Sequence, residues 1–415
     1  MVKRQSTVLC CLWILGITLC AIDSSSAGRG AFAGDSVGAR ASILGEAFVA
    51  VADDANALRW NPAGITQILQ PEFTSSHINF FTMGGRNYYL DYSGDSKAIH
   101  EDFIGLAFPT RYAPMGISFL NLITPGMMHA SQRGAITDYC NYTERTLTFS
   151  IGKRLDAKGY GFSGGWNLNY LSLGGGSDSA GLGMDGGLLV DTPGIWPEVG
   201  LMMRGMLMDT VLGGGGLTVP AKTDVAIAFK PWRWVKLVGG VGKTSGDPTV
   251  HYSTGLELVL HWLSPIHLSA AAGYKTLGLL EEGPLESQAD SRSVGGSIRI
   301  SRYKVDYAYE QHSLLGDTHR VTIGFFQKSP ESFHLERGRE AFEQLDDATA
   351  IHELEEVVHL APRKVEVYHM LALTYERMRM NDEAIRVLQR IQSLNYDYFI
   401  EQELDTLLED IQERR

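Results

Sequence analysis

Gly38-Ala39-Arg40-Ala41-Ser42-Ile43-Leu44-Gly45-Glu46-Ala47-Phe48-Val49-Ala50-Val51-Ala52-Asp53-Asp54-Ala55-Asn56-Ala57-Leu58-Arg59-Trp60-Asn61-Pro62-Ala63-Gly64-Ile65 is rich in small residues and mildly apolar. It closes on Asn-Pro-Ala-Gly, a turn signal: Asn caps, Pro fixes φ and Gly accepts positive φ. On this chemistry alone the stretch predicts a short helix and then a tight turn. Asp53-Asp54 could form a carboxylate pair for acid–base work, but adjacent residues diverge on a helix.

Upstream, Lys3 and Arg4 precede an apolar run from Val8 to about Ile22, and Ser25-Ser26-Ala27 supplies small residues before Gly28. This is a secretory signal peptide over residues 1–27, too short and too sharply ended for a membrane span. A lipoprotein signal would use Cys20, but Leu19 is a poor neighbour for it. No later stretch approaches the run of apolar residues that a membrane helix needs, so membrane residence would have to come from strands.

The totals narrow the classes. The chain has 415 residues, 20% charged, with a net charge of −12, which argues against a nucleic-acid partner. Its 46 glycines carry no collagen period and point to Gly-rich strands and loops. A mean hydropathy of −0.07 is too polar for a helical membrane bundle but fits a barrel, where apolar residues take every second position. Cys10, Cys11 and Cys20 leave with the signal, so Cys140 has no internal partner and reads as an inert thiol. Gly239-Gly240-Val241-Gly242-Lys243-Thr244 suggests a phosphate loop, yet Leu237 stands where its first Gly is needed. The 12 His show no metal-ligand spacing. No catalytic constellation, cofactor site or metal site emerges, and the chain reads as a non-enzyme.

From about Gln70 to Gln327 the pattern has period two: Leu147/Phe149/Ile151, Val225/Ile227/Phe229, Leu256/Leu258/Leu260/Trp262, Val305/Tyr307/Tyr309 and Val321/Ile323/Phe325. Short connections (Arg111–Pro114, Asp156–Gly159, Thr192–Pro197, Pro231–Arg233, Ser264–Pro265, Arg302–Lys304) alternate with longer polar ones. The longer ones are Pro125–Asn141, Gly174–Ser179, Thr210–Ala221 with its Gly213–Gly216 run, Ser245–His251, Leu280–Ser291 and Ser313–Asp317. Tight turns on one rim and longer loops on the other are the pattern of an outer-membrane barrel. The segmentation gives about 14 antiparallel strands; Tyr88–Tyr92 and Phe103–Phe108 leave the first hairpin open. At the short turns Trp232, Trp234 and Tyr303 sit beside cations and Trp262 near Pro265, as suits a membrane-interface girdle.

Taken whole, the opening stretch resembles the N-terminal signature of the FadL/PorV superfamily of outer-membrane proteins. The resemblance implies a barrel over residues 70–328 and a hatch over 28–69 that enters its lumen, with Asp53, Asp54, Asn61, Pro62, Ala63 and Gly64 as the hatch motif. Leu315–Phe326 resembles the closing strand of PorV-type barrels. Its aromatic end is similar to the C-terminal signal read by the outer-membrane assembly machinery, but here it is internal.

After Ser329-Pro330, Gly nearly vanishes and Glu, Leu, Arg and Ala rise. Gly338, Ala350, Leu354 and Pro362 recur 34 residues later as Ala372, Ala384, Leu388 and Tyr396, and Tyr375 answers Ala341. Residues 331–415 therefore resemble an all-α tetratricopeptide domain, with Glu401–Glu413 as a capping helix. The register residues Gly338, Ala350, Leu354, Ala372, Tyr375, Ala384 and Leu388 mark the candidate partner-binding repeats. An even strand number puts this tail in the periplasm. The expectation is a PorV-like barrel embedded in outer-membrane lipid and serving protein secretion or assembly, its repeats contacting secreted or periplasmic proteins. One alternative is a FadL-like passive transporter of fatty acids or other hydrophobic small molecules held in the lumen; another is a barrel that anchors a scaffold.

Overall fold

The computed structural model describes residues 37–415 apart from 46, 84–85, 88–98, 111, 131–135, 158–159, 176–178, 193–196, 213–219, 233, 246–249, 261–265, 280–287, 313–315, 328–329, 363, 396–397, 400–401, 403 and 414–415. The signal peptide, Tyr88–Tyr92, Gly213–Gly216, Trp262 and Tyr396 lie outside the described residues.

Period-two sequence becomes strand throughout the middle of the chain. The strands are β1 (Glu72–Met83), β2 (Arg86–Asn87), β3 (Ile99–Phe108), β4 (Met115–Ala130), β5 (Ile136–Ala157), β6 (Tyr160–Gly174), β7 (Ser179–Asp191) and β8 (Glu198–Leu212). They continue as β9 (Lys222–Trp232), β10 (Val235–Thr244), β11 (Val250–Leu260), β12 (Ile266–Leu279), β13 (Gln288–Ile300), β14 (Tyr303–His312) and β15 (Gly316–Phe326). Each pairs antiparallel with its sequence neighbour, and β1 pairs with β15 from Glu72↔Phe326 to Thr82↔Asp317, which closes the sheet. The two-residue β2 only extends the edge of β1, so the barrel has 14 staves.

The polarity of the wall is inverted relative to a soluble sheet. On β5, Leu147, Phe149 and Ile151 are 45%, 52% and 44% exposed, whereas Thr146, Thr148 and Ser150 are almost fully buried. An exposed apolar face around a closed barrel is stable only in lipid, which excludes a water-soluble sandwich. Aromatic rows bound this face. Phe108, Tyr160, Phe162, Trp232, Trp234 and Tyr303 lie near the short-turn rim, and Tyr170, Tyr252, Tyr274 and Tyr307 lie above them. Trp232 and Trp234 stack at 5.5 Å. Ten residues of β6 separate Tyr160 from Tyr170; at ~3.3 Å per residue and a tilt of ~40° that is about 25 Å, the height of an outer-membrane apolar band.

The expected loop Pro125–Asn141 is corrected: β4 and β5 run on through most of it and leave only residues 131–135 between them. Pro125 misled because it reads as a loop residue. It sits instead where the β4–β5 register shifts, between Thr124 and Met127, and there its missing N–H interrupts no ladder bond. Gly239–Thr244 belongs to β10, not to a phosphate loop. Cys140 lies in β5, not in a loop.

The described residues divide into two compact units, the second beginning at Gln327. Two short helices, α1 (Ala39–Ile43) and α2 (Ala57–Trp60), belong to the first unit. The second unit holds α3 (Pro330–Glu343), α4 (Asp347–Leu360), α5 (Val365–Arg377), α6 (Asn381–Leu394) and α7 (Leu404–Glu413). Its helix pairs repeat in geometry as well as sequence. The turn after α3 puts Leu345 at φ 61° and bonds Asp346 N to Ala341 O; the turn after α5 puts Arg379 at φ 57° and bonds Met380 N to Tyr375 O. Ala350, Leu354, Ala372, Tyr375, Ala384 and Leu388 are buried between the helices, and a Cβ on Gly338 would press on Leu354. These register residues pack the helices against one another. Repeat positions are recognisable in sequence because they are internal.

Leu345 and Arg379 hold left-handed backbone without being glycine, which costs about 1 kcal/mol each. Leu345→Gly and Arg379→Gly should therefore each raise the tail's stability by ~0.5–1 kcal/mol. The check is the urea midpoint of the helical signal at 222 nm in the full chain.

Candidate functional site

The lumen is filled by residues 37–70, almost all of them buried. This hatch turns around the inside of the wall: α1 lies against β12–β15, residues 47–50 against β8–β11, α2 against β4 and residues 62–67 against β5–β7. Its centre is apolar. Phe48 and Trp60 meet edge to face at 6.3 Å, and with Leu44, Val49, Leu58 and Ile65 they pack on wall residues Ala107, Met202, Ala226, Ala228 and Val238. The Trp60 indole N–H donates to Val37 O at 2.7 Å, and the Arg204 guanidinium lies 5.6 Å from a Trp60 ring centroid.

Contact this close requires walls without side chains. A Cβ on Gly165 would overlap the Pro62 backbone, one on Gly200 the Val49 carbonyl, and one on Gly273 the Ile43 carbonyl. The inward glycines of the strands are therefore seats for hatch backbone, which accounts for part of the chain's glycine content.

The Asn-Pro-Ala-Gly motif is the hatch's main joint. Asn61 Oδ1 accepts from Ala63 N at 3.1 Å and caps the turn over residues 62–67. Its Nδ2 donates to Val49 O at 2.9 Å within the hatch and to Leu188 O at 3.1 Å on β7. Pro62 starts the turn, where its lack of N–H costs nothing. Gly64 is needed because a Cβ would strike the Ala52 carbonyl.

Asp53 and Asp54 are not on a helix, so the expected divergence does not hold: both reach Arg40, at 2.5 and 3.5 Å. Arg40 also pairs with Glu257 on β11 at 2.6 Å, Asp53 with Lys236 on β10 at 3.2 Å, and Asp54 with Lys304 on β14 at 3.1 Å. Lys304 pairs further with Asp306 at 3.0 Å. Asp54 Oδ1 also accepts from Asn56 N at 3.0 Å. A second polar layer holds α1. Ser42 donates to Glu310 at 3.0 Å and accepts from Arg320, while Lys275 and Ser291 approach the other Glu310 oxygen at 2.9 and 2.7 Å. The partners Arg40, Lys236, Glu257, Lys304 and Glu310 escaped the sequence reading. For Lys236, Glu257, Lys304 and Glu310 the one signal was a charge at an inward position of a strand.

Beside the first ion-pair layer lies a cavity of about 340 Å³ between hatch and wall. Arg40, Asp53, Asp54, Glu72, Glu257 and Lys304 line it, with Val259, Leu268, Ser269, Arg299 and Phe326. Glu72, Val259, Arg299 and Phe326 stand at or next to strand ends that face short turns, so the cavity belongs to the short-turn rim. The arrangement can take up a small polar or amphiphilic molecule.

No protein-family model matches the sequence, and no curated protein is similar to it. Among solved structures, the chain is similar to the CymD monoaromatic hydrocarbon channel, with a TM-score of 0.48 and 12% identity over 69% of this chain and 97% of that one. It is also similar to the toluene transporter TodX of Pseudomonas putida, with a TM-score of 0.41 and 11% identity over 65% and 93%. A Pseudomonas aeruginosa FadL homologue gives a TM-score of 0.41 and 10% identity over 66% and 94%. Likenesses this loose assign no function.

Asn61→Ala should leave Ala63 N, Val49 O and Leu188 O short of a partner and cost about 2–3 kcal/mol. Gly165→Val should be worse, because backbone rather than a flexible side chain must move. The check is the fraction of heat-modifiable barrel on unboiled gels, with protease cleavage within residues 37–70 as a second readout.

Proposed function

We propose that this chain is an outer-membrane barrel that admits small molecules passively, held shut by its hatch, with the helical tail on the periplasmic side. The observation that carries the reading is the cavity between hatch and wall. A lumen packed at backbone contact on its apolar side keeps free volume on its ionic side, and 340 Å³ lies within the range of small-molecule sites. This is the FadL-like alternative of the sequence analysis, narrowed by the lining. Monoaromatic hydrocarbons and toluene are the cargoes named for two of the similar channels. A bare hydrocarbon in this cavity would strip water from charged groups and return no polar contact. A molecule with a polar end fits better.

The test is flux. The full chain, with Cys140→Ser as background, is reconstituted into lipid vesicles and a panel of small radiolabelled solutes is offered: neutral polar, zwitterionic and amphiphilic. At least one should enter several times faster than into empty vesicles. Ser269→Cys, labelled in the cavity with a bulky thiol reagent, should cut that rate several-fold, and reductant should restore it. Vesicles no leakier than empty ones to every solute would end the channel reading.

The second reading is secretion or assembly, with the tail as contact module, and the stacked helix pairs favour it. Residues 331–415 carry 20 acidic and 10 basic residues, so a partner would be basic. A tetratricopeptide-like groove would suit an extended basic segment of a secreted or periplasmic protein. Stoichiometric co-purification of such a protein from native membranes, lost when residues 331–415 are removed, would put this reading first.

A further inference from the structure

Most of the charges around the cavity are spoken for. Arg40 meets Asp53 and Glu257, and Lys304 is engaged by Asp54 at 3.1 Å and Asp306 at 3.0 Å. Two groups of opposite sign differ. Among the described residues Glu72, at the foot of β1 and 8% exposed, has no cation within ion-pair distance, Lys304 acting on it only from farther off; its Oε2 accepts the Ala55 backbone N–H at 3.0 Å. Arg299, exposed at the end of β13, makes no ion pair among the described residues, and its guanidinium lies 4.5 Å from the centroid of the Phe326 ring. Both line the same cavity, together with apolar Val259 and Leu268.

A buried carboxyl with no cation in direct contact is costly. A ligand ammonium would supply what Glu72 lacks. A guanidinium laid on an aromatic face keeps its N–H edges for a carboxylate, the planar acceptor that its fork geometry suits. The lining also offers apolar area, from Val259, Leu268 and the Phe326 ring. We infer that the cavity is a binding site for a small zwitterion with an apolar body, a large neutral amino acid or a short apolar peptide. Its ammonium lies at Glu72 and its carboxylate at Arg299, over Phe326. The inference rests on the channel reading for its biological use and names the solute class that the site would pass.

The mixed charge of the lining supports this choice over a simple anion or cation. A lone carboxylate bound at Arg299 would leave Glu72 uncompensated, and a lone ammonium at Glu72 would leave Arg299 facing solvent. Only a ligand with both ends satisfies both groups, and each end should therefore matter separately.

The experiment is calorimetric titration of the full chain in detergent with leucyl-leucine, N-acetyl-leucyl-leucine and leucyl-leucinamide. The expected order is zwitterion first, with loss of either charge weakening binding at least tenfold. Glu72→Gln should erase the preference for the free ammonium, and Arg299→Gln the preference for the free carboxylate, each leaving the other preference in place. Arg299 stands at the rim, so its variant keeps the test alive if Glu72→Gln fails to assemble. Equal binding of all three peptides, no binding at millimolar concentration, or preferences unchanged in both variants would overturn the inference. Binding without solute flux would uphold the site and sink the channel. Flux of other solutes without peptide binding would do the reverse.

Discussion

Backbone-to-backbone contact between hatch and wall is the constraint on which the rest of this molecule depends. Fourteen staves enclose a lumen that 34 residues of hatch fill, and they fill it because the wall withdraws its side chains where the hatch passes. Gly165, Gly200 and Gly273 are not loosening elements in their strands; each is the floor of a seat. Where those seats are taken the hatch leaves no room, and the open volume lies beside the Arg40 ion pairs instead.

The ionic side has a different logic. Buried ion pairs contribute little net stability, because desolvation offsets most of their attraction. They do impose geometry, since leaving either partner alone is far more costly. Arg40 can seat only where Asp53 and Glu257 both reach it, which fixes α1 against β11 and the Asp53-Asp54 turn against β10 and β14. The hatch is thus packed in place on one side and registered on the other. A ligand could displace the second kind of contact with charges of its own; it could not displace the first without opening the wall.

Much of this architecture was legible in the chain. Inward Thr148 and Ser150 between outward Leu147, Phe149 and Ile151 gave the strands, and the alternation of turn lengths gave an even count. The 34-residue offset gave the helix pairs because packing positions must be small or apolar wherever helices meet. Asn61 to Gly64 stood out as a joint, and the structure adds Leu188 and Ala52 as what it joins and clears. The site was not legible, for a physical reason. Lys236, Glu257 and Lys304 look like ordinary charges in alternating strands, and nothing in their local sequence says that they meet Arg40 and the Asp53-Asp54 turn. Pro125 misled because a bulge and a loop share the same residue preference.

The opening helix of the hatch also has a partner far along the chain. Ala39 N–H donates to the Thr322 hydroxyl, 283 positions away, and Ser42 is held by Glu310 and Arg320. The first part of the described chain thus binds strands that are synthesised and exported last. Its seat does not exist until β14 and β15 are in place, and β15 has no second neighbour until β1 returns to it. Seating the plug and welding the seam are then one event in time. Without β14 and β15, residues 47–67 would keep their seats on β4–β11, while the helix Ala39–Ile43 would lack the Glu310, Arg320 and Thr322 contacts that hold it.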